Sequence, residues 1–188
     1  MVNTGRKSLR SLIIAVPLLV VVVWACMYHP FEFKGGITVR DSGFFTYPRY
    51  HAELAHIPLG QNGEYQFKVS GLPPGPLNLK LRVSNSGHTE VPELSSLSTA
   101  ANVSVIDNSG RELCSASGRL SDAKMRGIGG WVLESSASNA SFWHPACENL
   151  AISRFRTYIV KVTLSEVDPH SPNKQLTPIL EGGGTELP

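Results

Sequence analysis

Three cysteines in 188 residues are too few for a disulfide-rich scaffold, and none stands at a C-x-x-C or Cys/His spacing that would hold zinc. Charge is also scarce: 17% of residues carry it, against 41% hydrophobic, which excludes a disordered, charge-dominated polymer. An excess of one sign is missing too. The net charge is +2, yet Arg6, Lys7 and Arg10 all precede the first acid, Glu32, and without them the balance is about −1. A near-neutral domain offers no electrostatic footprint for nucleic acid. Past the N-terminal segment no window keeps a helical period, which sets aside a parallel α/β sheet.

Catalytic signatures are incomplete as well. Ser121-Asp122-Ala123-Lys124 has the S-x-x-K spacing, but its S-D-N and K-T-G partners are absent. His51 and His56 stand five positions apart, so neither a helix nor a strand puts both on one face. His88-Thr89-Glu90 and Pro145-Ala146-Cys147 echo fragments of a deaminase signature without its second cysteine. There is no G-x-S-x-G elbow, and Gly127-Ile128-Gly129-Gly130 opens no helix that could aim N–H groups at a phosphate. The expectation is a protein that is not an enzyme and needs no cofactor or metal.

What is present begins with a basic segment, residues 1–10, followed by SLIIAVPLLVVVVWACMY. Leu12 to Tyr28 holds no charge and would span roughly 25 Å as a helix. Positive charges lie at one end, and Trp24 and Tyr28 at the other. Residues 11–29 therefore read as a transmembrane signal anchor or a signal peptide, with the C-terminal domain exported. Val23-Trp24-Ala25-Cys26 resembles a bacterial lipobox, which would make Cys26 a lipidation site, though Trp24 is bulky for its slot. Cleavage after Ala25 would instead release the domain, but no polar stretch separates the apolar run from that site. Cys114 and Cys147 are the even pair in the exported part and are expected to form a disulfide.

Beyond Pro30 the hydrophobic period changes to two. In LNLKLRV, Leu77, Leu79, Leu81 and Val83 alternate with Asn78, Lys80 and Arg82, the signature of a half-buried strand. EYQFKV and TYIVKVTL repeat it, while GLPPGP separates the first two strands. FEFKGGITVR, HAELAHIPL, GGWVLES and ASFWHPAC read as weaker strands, and Asp122 to Arg126 as a single helical turn. ANVSVIDNSGRELCSASG predicts a hairpin turning at Asn108-Ser109-Gly110. The fold class expected is all-β: one antiparallel β-sandwich, jelly-roll or Ig-like, over residues 30–167. Residues 168–188 form a Pro/Gly-rich C-terminal segment with a short strand at Leu176 to Leu180.

Two aromatic clusters are the candidate binding surfaces. One is Phe44, Phe45, Tyr47 and Tyr50. The other is Trp143 with His144, beside Trp131 and Phe142, which are assigned to the core. The function expected is that of a membrane-tethered, extracytoplasmic module on the periplasmic side of a bacterial membrane. It would bind an envelope protein in an accessory or immunity-type role. The alternative is a carbohydrate- or cell-wall-binding module using exposed aromatics.

Overall fold

The structure, a computed structural model, describes residues 16–21, 37–41, 49–72, 75–85, 97–124, 130–135, 140–153, 156–167 and 174–182. The chain divides into two compact units, Met1–Pro30 and Phe31–Pro188. In the first, residues 16–21 are helical, with Val16, Leu18, Leu19, Val20 and Val21 exposed. Among the described residues no helix is long and apolar enough to cross a membrane. Most of the expected span over 11–29, Cys26 included, lies outside them.

The second unit is an all-β sandwich of two antiparallel sheets. Among the described residues twelve strands follow in chain order: β1 Ile37–Asp41, β2 Arg49–Glu53, β3 Ile57–Pro58, β4 Gly63–Ser70, β5 Gly75–Asn85, β6 Ala100–Asp107, β7 Glu112–Arg119, β8 Val132–Ser135, β9 Ala140–Trp143, β10 Leu150–Ile152, β11 Thr157–Ser165 and β12 Lys174–Gly182. The larger sheet runs β1-β2-β12-β5-β9-β8, with β3 also on β12 and β10 also on β5. The smaller runs β4-β11-β6-β7. The strands around GLPPGP, β4 and β5, therefore cross between sheets rather than pair.

Period two decides what fills the interior. Leu77, Leu79, Leu81 and Val83 of β5 are buried, and in register with them come Phe142 of β9 and Leu176 and Leu180 of β12. From the other sheet, Tyr158, Val160, Val162 and Leu164 of β11 join Ala101, Val103 and Val105 of β6 in the same core. Each such aliphatic side chain contributes about 1.5–3 kcal/mol of transfer free energy. Tyr158 is buried whole, and its hydroxyl accepts the Ser153 N–H at 2.8 Å and donates to the Ser153 carbonyl at 3.3 Å. That tie fixes the corner where the chain enters β11, as a tyrosine corner does in other sandwiches.

The hairpin forms where Asn108-Ser109-Gly110 predicts it, between β6 and β7. A short 3₁₀ turn occupies Leu120–Asp122, ahead of the helical turn expected at Asp122 to Arg126, whose last two residues lie outside those described. The C-terminal segment differs most from expectation. β12 is no terminal appendage but lies between β2 and β5, and residues 176–180 are buried on both faces. Pro178 is tolerated there because residues 54–56, between β2 and β3, break the neighbouring strand opposite it. Its carbonyl accepts the Leu54 N–H at 2.9 Å, so the missing proline donor faces that interruption.

Candidate functional site

β9 and β10 share one edge of β5: β9 pairs with Lys80–Val83 and β10 with Gly75–Leu77. Between them the chain leaves the sheet through His144, the 3₁₀ turn Pro145–Cys147 and Asn149. Pro145 suits the first position of that turn, where no N–H is needed. Asn149 takes a left-handed conformation, φ 55°, and its N–H donates to Asn78 Oδ1 at 2.7 Å. Cys147 is bonded to Cys114 of β7, with Cα atoms 5.2 Å apart, so the turn is tied to the opposite sheet. The expected disulfide is present.

The detour leaves a groove of about 260 Å³, with Leu79 and Cys147 among its lining and Asn78, Lys80, Glu134, Trp143, His144 and Glu148 as its chemically distinctive side chains. Trp143 and His144, singled out as a candidate surface, thus meet at one site. Both are half-buried. The Trp131 and His144 rings meet in a T-shaped arrangement, with centroids 5.6 Å apart and planes at 79°. Backbone Ala146 N–H donates to His144 Nδ1 at 3.1 Å. Burial depresses the His144 pKa, so the ring is neutral near pH 7, and with Nδ1 accepting, the proton sits on Nε2. The ring's one N–H donor is therefore at Nε2, on a residue that lines the groove.

Lys80 links the groove to a line of charges across the outer face of the sheet. Its Nζ lies 3.1 Å from Glu134 Oε2 and 3.0 Å from Glu181 Oε2. Glu181 and Glu53 face the two ring nitrogens of His51 at 2.8 and 3.0 Å, and Glu53 accepts from Arg82 Nη2 at 2.6 Å. The Arg82 bond, joined by His51, holds the Glu53 carboxyl below its usual range. At Glu181 burial pushes upward, but Lys80 and His51 prevail and lower it. Burial opposes the Lys80 charge, and its two carboxylates still raise its pKa. Ile179 sits between Glu53 and Lys80 in register and Val132 beside Trp143; both are buried although outside the core cluster.

The other sequence candidates lie elsewhere. Tyr50 is not a surface residue: it is 3% exposed and belongs to the core, because β2 turns it inward beside Gly182. Phe44, Phe45 and Tyr47 are outside the described residues, as is His88-Thr89-Glu90. Trp131 and Phe142 are core residues, as assigned. Ser121 donates to Asp122 Oδ1 at 3.2 Å, and Lys124 sits in an isolated bridge to Val132, so the pair shares no helix face. His56 Nδ1 lies 2.7 Å from Thr177 Oγ1, and neither residue lines the groove. Among the described residues no group of three or more His, Cys, Asp or Glu side chains is placed to hold a metal ion.

No family model matches the chain, and no characterised protein matches it in sequence. Among solved structures it is similar to an arabinose-bound GH51 α-L-arabinofuranosidase at 16% identity and a TM-score of 0.30. That alignment covers 86% of this chain and 24% of the other, so the chain spans about a quarter of that protein's length. A likeness this loose carries no inference about activity.

Sequence reasoning missed Asn78, Lys80, Glu134 and Glu148 as groove residues. The first two stood in plain view as the polar half of LNLKLRV, where their alternation identified an outer face but not what crosses it.

Proposed function

We propose that the chain is an extracytoplasmic, membrane-tethered β-sandwich that binds a carbohydrate in the groove beside the disulfide. One observation carries the reading: an aromatic ring, Trp143, shares a concave site with an amide, a neutral imidazole, an ammonium and two carboxylates. A sugar ring needs that combination, an apolar face for its C–H bonds and several donors and acceptors for its hydroxyls. The volume of about 260 Å³ suits one or two sugar units. Glu134 and Glu148 outnumber Lys80, which favours neutral or amino sugars over uronic acids.

The protein-binding reading has less support in the described sandwich. Large exposed hydrophobic side chains among the described residues are confined to 16–21, and a protein hot spot draws on buried aromatic anchors within an apolar patch. Export and tethering rest on the basic N-terminal flank, the apolar run after it and the Cys114–Cys147 bridge, which persists in oxidising compartments.

Titration of the full-length protein with peptidoglycan fragments and neutral and amino sugars tests the proposal. Binding is expected, weakened about tenfold by Trp143→Ala with little change in Tm, because the ring stands outside the core cluster. Absence of any glycan binding, with retention of a single envelope protein by crosslinking, would reject it in favour of the protein-binding role.

A further inference from the structure

A second hollow, about 200 Å³, opens where the β6–β7 loop meets the connection into β11. Asp107, Arg111, Leu113, Ser153, Arg156 and Tyr158 line it. Residues 108–111 form the loop: Asp107 N–H donates to the Arg111 carbonyl and Gly110 N–H to the Asp107 carbonyl, both at 2.9 Å, with Gly110 at φ +83°. Leu113 is the extra residue where the β6–β7 register shifts, and it faces the hollow.

Asp107 has a side chain only 1% exposed. Its Oδ1 is taken up by its own turn, accepting the Ser109 N–H at 2.9 Å, the Ser109 hydroxyl and the Arg111 N–H at 3.1 Å. Only Oδ2 is left for two guanidinium groups, Arg111 Nη2 at 3.4 Å and Arg156 Nη1 at 3.3 Å. Both contacts are longer than the roughly 2.7–2.9 Å of a strong ionic hydrogen bond. The arginine side chains are 67% and 49% exposed, and each has five N–H donors, of which one group faces Asp107. Two positive charges therefore converge on a hollow whose lining, among the described residues, supplies a single negative one.

We propose that Arg111 and Arg156 form a binding site for a phosphate-class oxyanion. Guanidinium forks match such an anion in a bidentate manner, and two forks from separate segments surround it. Asp107 is then a positioning residue: it sets the loop and holds both forks near one another while leaving one positive charge uncompensated. The site is independent of the groove at Trp143, which shares none of its lining residues.

Thermal melts of the full-length chain in increasing inorganic phosphate, with ionic strength held constant by chloride, provide the test. A saturable rise in Tm is expected, absent in an Arg111→Gln/Arg156→Gln double variant, with each single variant weakening apparent affinity about tenfold. Glycerophosphoglycerol, the headgroup of an anionic lipid without its acyl chains, forms a second arm. Tighter binding of that diester than of phosphate identifies a lipid headgroup as the source, and the reverse order a free phosphate or monoester. A rise no larger than in chloride alone, or one unchanged in the double variant, overturns the proposal. Should the double variant fail to fold, Arg111→Lys/Arg156→Lys keeps the charges without the forks, and undiminished affinity there overturns it equally.

Discussion

Gly182 and Tyr50 face each other at the end of β12 and β2, and the backbone there has no room for a side chain. A Cβ on Gly182 would lie 2.5 Å from the Pro76 carbonyl oxygen and 2.6 Å from the Tyr50 hydroxyl. Gly182→Ala is expected to destabilise the domain by about 1–3 kcal/mol in denaturant unfolding. Gly130→Ala, with nothing within 4 Å among the described residues, should leave the midpoint nearly unchanged and serves as the control. Tyr50 carries a buried hydroxyl with no hydrogen-bond partner among the described residues, and burial, reinforced by Tyr158, raises its pKa far above the usual range. Tyr50→Phe removes that orphaned group while keeping the ring, so stability should hold or rise by about 1 kcal/mol. An aromatic cluster in the sequence cannot show this by itself: Tyr50 and Trp143 look alike as residues. Strand register decides between them, because Tyr50 pairs with inward Gly182 and Trp143 with outward Lys80.

The turn Pro145–Cys147 and the charged rows of the outer face owe their positions to partners distant in sequence. The Cys114–Cys147 bridge closes a separation of 33 residues, which corresponds to about 3–4 kcal/mol in the chain-entropy model. A Cys114→Ala/Cys147→Ala variant should lose stability of that order, and sugar affinity with it, since Cys147 and His144 sit on the freed turn. The ionic row makes a different, pH-dependent contribution. Glu53 and Glu181 have folded pKa values below their ordinary 4.5, so their stabilisation is complete above that pH and is lost as pH falls through the folded values. Lys80 is raised above 10.5, so its share is present below that pH and is lost on the alkaline side. Melts from neutral pH down to about pH 3 should show an acid limb that is shallower in Glu53→Gln/Glu181→Gln; an identical limb would mean the row is too screened to matter. The alternating LNLKLRV and the Asn-Ser-Gly turn were legible because local rules write them. The groove was not, because it is made where β9 and β10 leave β5 uncovered.

Sheet order is the part of the sandwich that period and turn signals cannot reach. β5, β11 and the hairpin announce themselves through alternation, yet alternation fails for β12, whose outer residues Thr177 and Ile179 are as buried as its inner ones. With Pro178 in its middle and glycines after it, KQLTPILEG reads as a tail strand. In the fold it joins β2 and β3 on one side to β5 on the other, and β5 in turn carries β9 and β10. Every strand of the larger sheet is thus connected through β12 or β5. Truncation after Val167 would strip β12 away, leave the whole edge of β5 unpaired and detach β1, β2 and β3 from the sheet. Loss of Leu176, Ile179 and Leu180 alone removes about 5–9 kcal/mol of apolar burial, comparable with the entire stability of a domain this size. The truncated chain is therefore expected to lose its cooperative thermal transition. A retained transition, with the groove still binding sugar, would show that the smaller sheet and β5 suffice without their connecting strand.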